Sequence, residues 1–212
     1  SVLGKGALPN NYSLDFDGTD DYVDFGSQPF AITTLTVSAW IYPDGLSSAL
    51  IIGSGAGEAD YIRFTDADTI RFRIESENVD TDPGLTFTTG EWQHFAAVKG
   101  SDRKVTYYRN GVAGTTISAA HSVDKEFRPD KIGTKAPAGN ASWWNGKMDE
   151  VSIWDSALSA GDIAALYSAR GTADLNDDGN SANLVGWWRM GDGVLDEYAL
   201  IADQVNPTLG SE

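Results

Sequence analysis

Hydrophobic and polar residues alternate with a period of two along most of the chain, in short runs separated by turn residues. Successive side chains of a strand point to opposite faces, so such runs predict half-buried strands. Tyr12-Ser13-Leu14-Asp15-Phe16 alternates, Asp17-Gly18-Thr19-Asp20 supplies a turn, and Tyr22-Val23-Asp24-Phe25 follows. Within residues 35–42, Leu35, Val37, Ala39 and Ile41 share one face while Trp40 and Tyr42 share the other, which predicts a strand covered on both sides. Ile62 and Phe64, then Ile70, Phe72 and Ile74, lie opposite arginines, and the intervening Asp66-Ala67-Asp68 predicts a hairpin. Residues 92–98 and 104–109 are the next strands, and Asn110-Gly111 is a strong two-residue turn signal before Val112. Lys131-Ile132-Gly133 and residues 146–154 continue the pattern.

One stretch changes period. In residues 159–170, Ser159 is placed to cap a helix, Asp162 stands three residues on as in a capping box, and Ile163, Leu166 and Tyr167 recur at helical spacing. Gly171 ends it, a polar loop spans 174–180, and residues 184–190 read as a last strand. The chain is therefore expected to be all-β, an antiparallel sandwich with one short helix at about 159–170. At 212 residues, with no linker-like composition shift, it is expected to form a single domain over 1–212.

Composition sharpens this picture. Hydrophobic residues make up 41% and charged residues 22%, as in chains that bury a core. Acidic residues outnumber basic ones 31 to 15, and the net charge of −16 repels nucleic acid and anionic membrane surfaces. There is no cysteine, hence neither a disulfide framework nor a thiolate metal site. No run approaches the roughly 20 apolar residues of a membrane span, and the first residues lack the apolar run of a secretory leader.

Taken in order, several segments carry a likeness. Residues 13–23, the strand 35–40, Glu91-Trp92-Gln93-His94-Phe95-Ala96, Tyr107-Tyr108-Arg109-Asn110-Gly111, and residues 146–154 with Ala157-Leu158-Ser159 resemble the laminin-G-like, concanavalin-A-like jelly-roll superfamily. The resemblance implies a jelly-roll sandwich of the kind found in bacterial surface and marine phage proteins. One order differs: a segment like Leu184-Val185-Gly186-Trp187-Trp188 precedes the opening strand in many relatives and comes last here. Either it completes the sandwich from the C-terminal end or it opens a further module; the cost of exposing two tryptophans favours completion.

Candidate chemistry lies in three places. Asp17, Asp20 and Asp21 offer carboxylates on one turn, suited to calcium, a hard cation that takes several oxygen ligands; the alternative is that they cap turns and face solvent. The resemblance implies that a structural calcium would tie this turn to Asp149 near the closing strand. Asp174, Asn176 and Asp178, with Gly179 following, resemble the start of an EF-hand loop, but position twelve is Val185 rather than glutamate, which favours a solvated loop. Trp143, Trp144 and Asn145, after the loop-like 136–140, are the candidate sugar site, since pyranose rings stack on indoles while amides bond their hydroxyls. The competing reading packs both tryptophans beneath the loop. Trp40, Trp92 and Trp154 sit in strand patterns and are expected in the core.

Evidence for catalysis is lacking. His94 and His121 have no nucleophile motif beside them, and Gly53-Ser54-Gly55-Ala56-Gly57 lacks the lysine of a phosphate loop. Laminarinase-type hydrolases on this sandwich use Glu-x-Asp-x-x-Glu, whereas residues 58–63 end in Arg63 and Asp149-Glu150 has the wrong spacing. The expectation is a non-catalytic, calcium-associated, lectin-like module binding carbohydrate or a cell-surface glycan, in an extracellular, cell-surface or virion setting. The alternative is a structural or adhesion module without a sugar site, and a glycoside hydrolase is the less favoured third reading.

Overall fold

A computed structural model describes residue 8 and residues 10–26, 32–55, 60–115, 121–135 and 142–191, with the backbone of 209–211. Numbered along the chain, the strands are β1 (Tyr12–Asp17), β2 (Val23–Asp24), β3 (Leu35–Pro43), β4 (Leu50–Gly53), β5 (Tyr61–Phe64), β6 (Ile70–Ile74), β7 (Glu77–Thr81), β8 (Gln93–Lys99), β9 (Val105–Arg109), β10 (Val112–Ala113), β11 (Lys131–Ile132), β12 (Asn145–Trp154), β13 (Leu184–Trp188) and β14 (Leu209–Ser211). One sheet runs β10-β9-β8-β3-β12-β1-β14, with β13 added against β12; the other runs β2-β11-β4-β5-β6-β7. The pairings are antiparallel, including the β5–β6 hairpin over Asp66-Ala67-Asp68 and the β9–β10 hairpin, whose turn residues Asn110 and Gly111 have φ of 51° and 76°. This is the expected antiparallel jelly-roll sandwich with one short helix.

The alternation read from the sequence sorts side chains between the layers. Leu14, Phe16, Val37, Ala39, Ile41, Phe95, Met148, Val151 and Ile153 from the first sheet meet Ile52, Ile62, Phe64, Ile70, Phe72 and Ile74 from the second in one buried cluster. Phe64 stacks edge-on against Phe87 and Phe95, at 4.8 and 5.8 Å. Burying each such side chain contributes about 1.5–3 kcal/mol.

A second apolar cluster covers part of the first sheet's outer face. Ala96, Val98, Tyr108 and Trp154 project outward there and are roofed by Leu158, Leu175 and helix α1 (Ala160–Ala169) through Ile163 and Leu166. The capping box forms as expected: Ser159 Oγ accepts from the Asp162 N–H, and the Asp162 carboxylate accepts from the Ser159 N–H. The helix ends at Arg170, in the left-handed region at φ 50°. No described helix is long and apolar enough to cross a membrane.

β13 lies beside the C-terminal half of β12, with Val151 opposite Trp188 and Ser152 opposite Trp187. Trp188 is thereby driven into the core, its ring 4.6 Å from Phe25. Trp188→Ala is expected to cost about 3–5 kcal/mol in chemical unfolding, while Val112→Ala, at an exposed site, should change stability by less than about 0.5 kcal/mol. Equal stability of the two variants would refute the assignment of Trp188 to the core.

Candidate functional site

The turn after β1 gathers the acidic residues picked out in the sequence. Oxygens of Asp17, Asp20 and Asp21 lie within 4.8 Å of one another. Asp17 Oδ1 accepts the N–H groups of Thr19 and Asp20, and Asp21 Oδ2 accepts that of Asp17, which leaves one oxygen on each of those two carboxylates and both on Asp20 facing outward. Burial first, and the charges of Asp17, Asp20 and Asp15 next, hold the Asp21 carboxyl above the usual carboxylate range. Oxygens concentrated in this way, with like charges unrelieved, suit a hard divalent cation.

Strand register decides which neighbours this turn has. Asp17 lies opposite Asn145, and Gly18, with φ +77°, passes so near that a Cβ there would lie 2.9 Å from the Asn145 Cβ. Tyr22, next after Asp21, packs its ring 6.1 Å from that of Trp143. Trp143 and Asn145 thus stand beside the acidic turn on one edge of the sandwich, two sequence candidates merged into one place. Trp144 and Asp149 do not join them. Trp144 is fully buried against Phe64, because alternation turns it inward between its two neighbours. Asp149 is four residues along β12 from Asn145, about 13 Å at the rise of a strand. The position opposite the turn therefore belongs to an amide, not to the expected aspartate.

Asp149 belongs to a cavity that sequence reasoning missed. On the outer face of the first sheet, where α1 ends, Asn10, Trp40, Trp92, Asn110, Asp149, Tyr167 and Arg170 enclose about 320 Å³. Trp40 sits opposite both Asp149 on β12 and His94 on β8, so three strands contribute one row. Its ring stacks on Tyr167 at 5.7 Å and meets His94 edge-on at 5.5 Å; Trp92 is braced edge-on by Tyr42 at 5.8 Å. Asn110 Oδ1 accepts the His94 backbone N–H, which leaves its Nδ2 as a donor on the wall. Asn10 Oδ1 is buried without a hydrogen-bond partner among the described residues. Trp40 and Trp92 are half-buried here rather than in the core, because the helix roof stops short of them; Trp154, beneath the roof, is buried as expected.

The remaining candidates fall elsewhere. Asp174 caps a 3-10 turn by accepting from the Asn176 N–H, and Asp178 accepts from the Asn180 N–H, so these oxygens serve loop geometry, and no metal-like cluster of three forms there among the described residues. His94 is buried with Nε2 on Ser38 Oγ at 2.8 Å, and burial pushes its ring down to about 4. His121 is buried edge-on against Phe72. Residues 136–140, and 56–57 of the glycine-rich turn, lie outside the described residues.

Residues 17–164, well over half of the chain, match the family model described as concanavalin A-like lectin/glucanases. The chain belongs to that superfamily. No curated protein matches it by sequence. Among solved structures, it is similar to the native heptameric SAP-like pentraxin from Limulus polyphemus, at 15% identity, TM-score 0.61, and coverage of 96% of this chain and 92% of that one. A Bacteroides ovatus protein described as carbohydrate binding gives 18% identity and TM-score 0.60, with 88% of this chain spanning 51% of that one. The CBM40 domain of the Ruminococcus gnavus IT-sialidase, bound to α2,3-sialyllactose, gives 14% identity and TM-score 0.55, covering 77% and 97%. At such identities these likenesses bear on fold alone.

Within this superfamily fold, the cavity owes its acidic wall to a β-bulge. Register slips between Asp149 and Ser152, with Glu150 at φ 50°, so two residues rather than one separate the inward-facing Met148 and Val151. Both carboxylates consequently leave the core. Asp149 lines the cavity, whereas Glu150 is sealed behind it, accepting from Trp187 Nε1 at 2.5 Å and Arg189 Nε at 3.1 Å. Burial above all, and the adjacent Asp149 charge, push the Glu150 carboxyl up to about 8, against the opposing pull of Arg189 and Trp187.

A carboxyl that holds its proton more tightly when folded stabilises the fold fully below its ordinary value of 4.5, and that contribution is lost as pH rises towards 8. The depressed His94 acts only below its ordinary 6.5, so the window from 6.5 to 8 isolates Glu150 from it. Unfolding stability should fall across that window in the wild type and fall less in Glu150→Gln; equal slopes in urea titrations would overturn the assignment.

Proposed function

We infer that the protein is a non-catalytic carbohydrate-binding module that takes a sugar in the cavity at the end of α1 and carries calcium at the Asp17–Asp20–Asp21 turn. The observation that carries the reading is the cavity itself. Its size falls at the lower end of the roughly 300–1,000 Å³ of small-molecule sites. Trp40, Trp92 and Tyr167 offer apolar surface to a pyranose face, and Asn110 Nδ2, Asp149 and Arg170 offer the acceptors and donors that hydroxyls require. Carbohydrate-binding neighbours of the same fold support the class of ligand.

A binding role fits the carboxylates better than hydrolysis. Glu150, whose raised proton affinity would suit a general acid, is turned from the cavity and held by Trp187 and Arg189. At the edge, Asp17, Asp20 and Asp21 would hold calcium, with Asn145 beside them as a further oxygen source, and the ion would relieve the mutual repulsion of the three charges.

On a glycan array, Trp92→Ala should reduce binding about fivefold or more, since a ring stacked on an aromatic side chain contributes on the order of 1–3 kcal/mol, while Trp143→Ala leaves it intact. Silence across the array would reject the sugar reading in favour of a structural module, and release of reducing sugar would reject the non-catalytic one. Calcium added to chelator-treated protein should raise the melting temperature, and Asp20→Asn with Asp21→Asn should abolish the rise; a shift that survives the double substitution would place calcium elsewhere.

A further inference from the structure

The outward face of the second sheet is cationic, in a chain of net charge −16. Alternation along β5 and β6 sends Ile62, Phe64, Phe72 and Ile74 into the core and turns Tyr61, Arg63, Arg71 and Arg73 away from it. Register sets Arg63 directly opposite Arg71 and Tyr61 opposite Arg73. Three cations crowd one ring: Lys135 Nζ lies 4.9 Å, Arg63 Cζ 5.3 Å and Arg73 Cζ 5.9 Å from the centroid of Tyr61.

Like charges directly opposed on neighbouring strands are destabilising, so the arrangement needs a reason. Half of it is answered within the fold: Asp80 on β7 takes Arg71 in a bidentate pair, at 2.5 and 2.6 Å. The Asp80 charge also acts on Arg63, but without a direct ion pair. Arg63 Nη1 reaches only the hydroxyl of Ser142, at 3.1 Å, and its Nε is buried with no hydrogen bond among the described residues. Neither Arg63 nor Lys135 pairs with a carboxylate among the described residues. A charged donor left buried and unsatisfied costs about 1–3 kcal/mol or more, and any outward-facing polar residue would have served the strand pattern without that cost.

We propose that Arg63 and Lys135, set on the Tyr61 ring and flanked by Arg73, bind the oxyanion of a ligand that carries a single carboxylate or sulfate, such as an acidic sugar unit. The three cations converge on one ring, which matches one anionic group rather than a string of them. Charges more than about 8 Å away are screened at physiological salt, so the local cations govern a lone oxyanion, while a long polyanion meets the acidic remainder of the surface. The planar fork of arginine suits either group through paired N–H donors. The face lies on the sheet opposite the α1 cavity and does not depend on it.

Calorimetry tests this with a glucuronate-terminated disaccharide, the corresponding sulfated disaccharide and their neutral parent. At least one acidic probe should bind, more weakly as salt rises, with inorganic sulfate competing. Arg63→Gln and Lys135→Gln should each weaken it about tenfold or more, Trp92→Ala should leave it unchanged, and binding of the neutral parent should be untouched by Arg63→Gln. Binding of the carboxylated probe alone, the sulfated probe alone or both assigns the preferred oxyanion. If Arg63→Gln fails to fold, Lys135→Gln, at a half-exposed side chain, decides alone. Absence of binding by both acidic probes, binding that survives the substitutions, or binding lost in Trp92→Ala would overturn the proposal.

Discussion

A carboxylate enclosed by protein has to be bonded or it destabilises the fold, and Glu150 meets that demand in a way that organises one whole side of the molecule. The bulge in β12 diverts it from the core, and Trp187 and Arg189, flanking Trp188 on β13, close around it. That grip fixes the register of β13, and with it the entry of Trp188 into the sandwich. The same bulge leaves Asp149 beside Trp40, where the cavity wall needs an acceptor. Gly171 follows the helix at φ +75° and passes so close that a Cβ would lie 2.2 Å from Asn10 Nδ2 and 3.2 Å from Glu150 Cγ, so the first strand's approach, the helix end and the buried acid share one packed corner. Removing one partner of such a buried cluster typically costs more than the intact contact contributes, because the polar group left behind is buried and unsatisfied.

Around that corner the molecule separates its chemistry by surface. Helix α1 roofs the apolar half of the first sheet's outer face and stops where Tyr167 meets Trp40, which leaves aromatic surface accessible without exposing a broad hydrophobic patch. The acidic turn sits on the edge, where its carboxylates reach solvent. Cations gather on the outer face of the second sheet against the sign of the chain as a whole. On the proposed reading, each surface would offer a different kind of contact: stacking and hydroxyl bonding, hard-cation ligation, and oxyanion pairing.

The difference between what could be read and what could not is clearest at adjacent residues. Trp143 and Trp144 are chemically identical, yet the first packs on Tyr22 at the edge and the second is sealed in the core, since neighbouring positions in extended backbone face opposite ways and only the bridge of Trp143 to Thr134 sets which is which. Trp40 was placed correctly on the face opposite Leu35, Val37, Ala39 and Ile41, but its burial depends on where a helix more than a hundred residues later happens to end. The pairing of the acidic turn with Asn145 rather than Asp149 is a matter of register. Two successive acids between Met148 and Val151 were the one local sign of a bulge, because they break a period of two that the rest of the strand keeps.

The sequence by itself determined the strands, the hairpins at Asp66-Ala67-Asp68 and Asn110-Gly111, the capped helix after Ser159, and the acidic turn, because each rests on interactions between residues a few positions apart. Only the tertiary structure decided that Asn10, Trp92, Asn110, Asp149 and Tyr167 meet around a cavity, and that Arg63 and Lys135 meet over Tyr61. Those groupings depend on sheet register, on one bulge and on the reach of one helix. None of these is encoded in the neighbourhood of any single residue, since each arises from contacts between segments far apart in the chain.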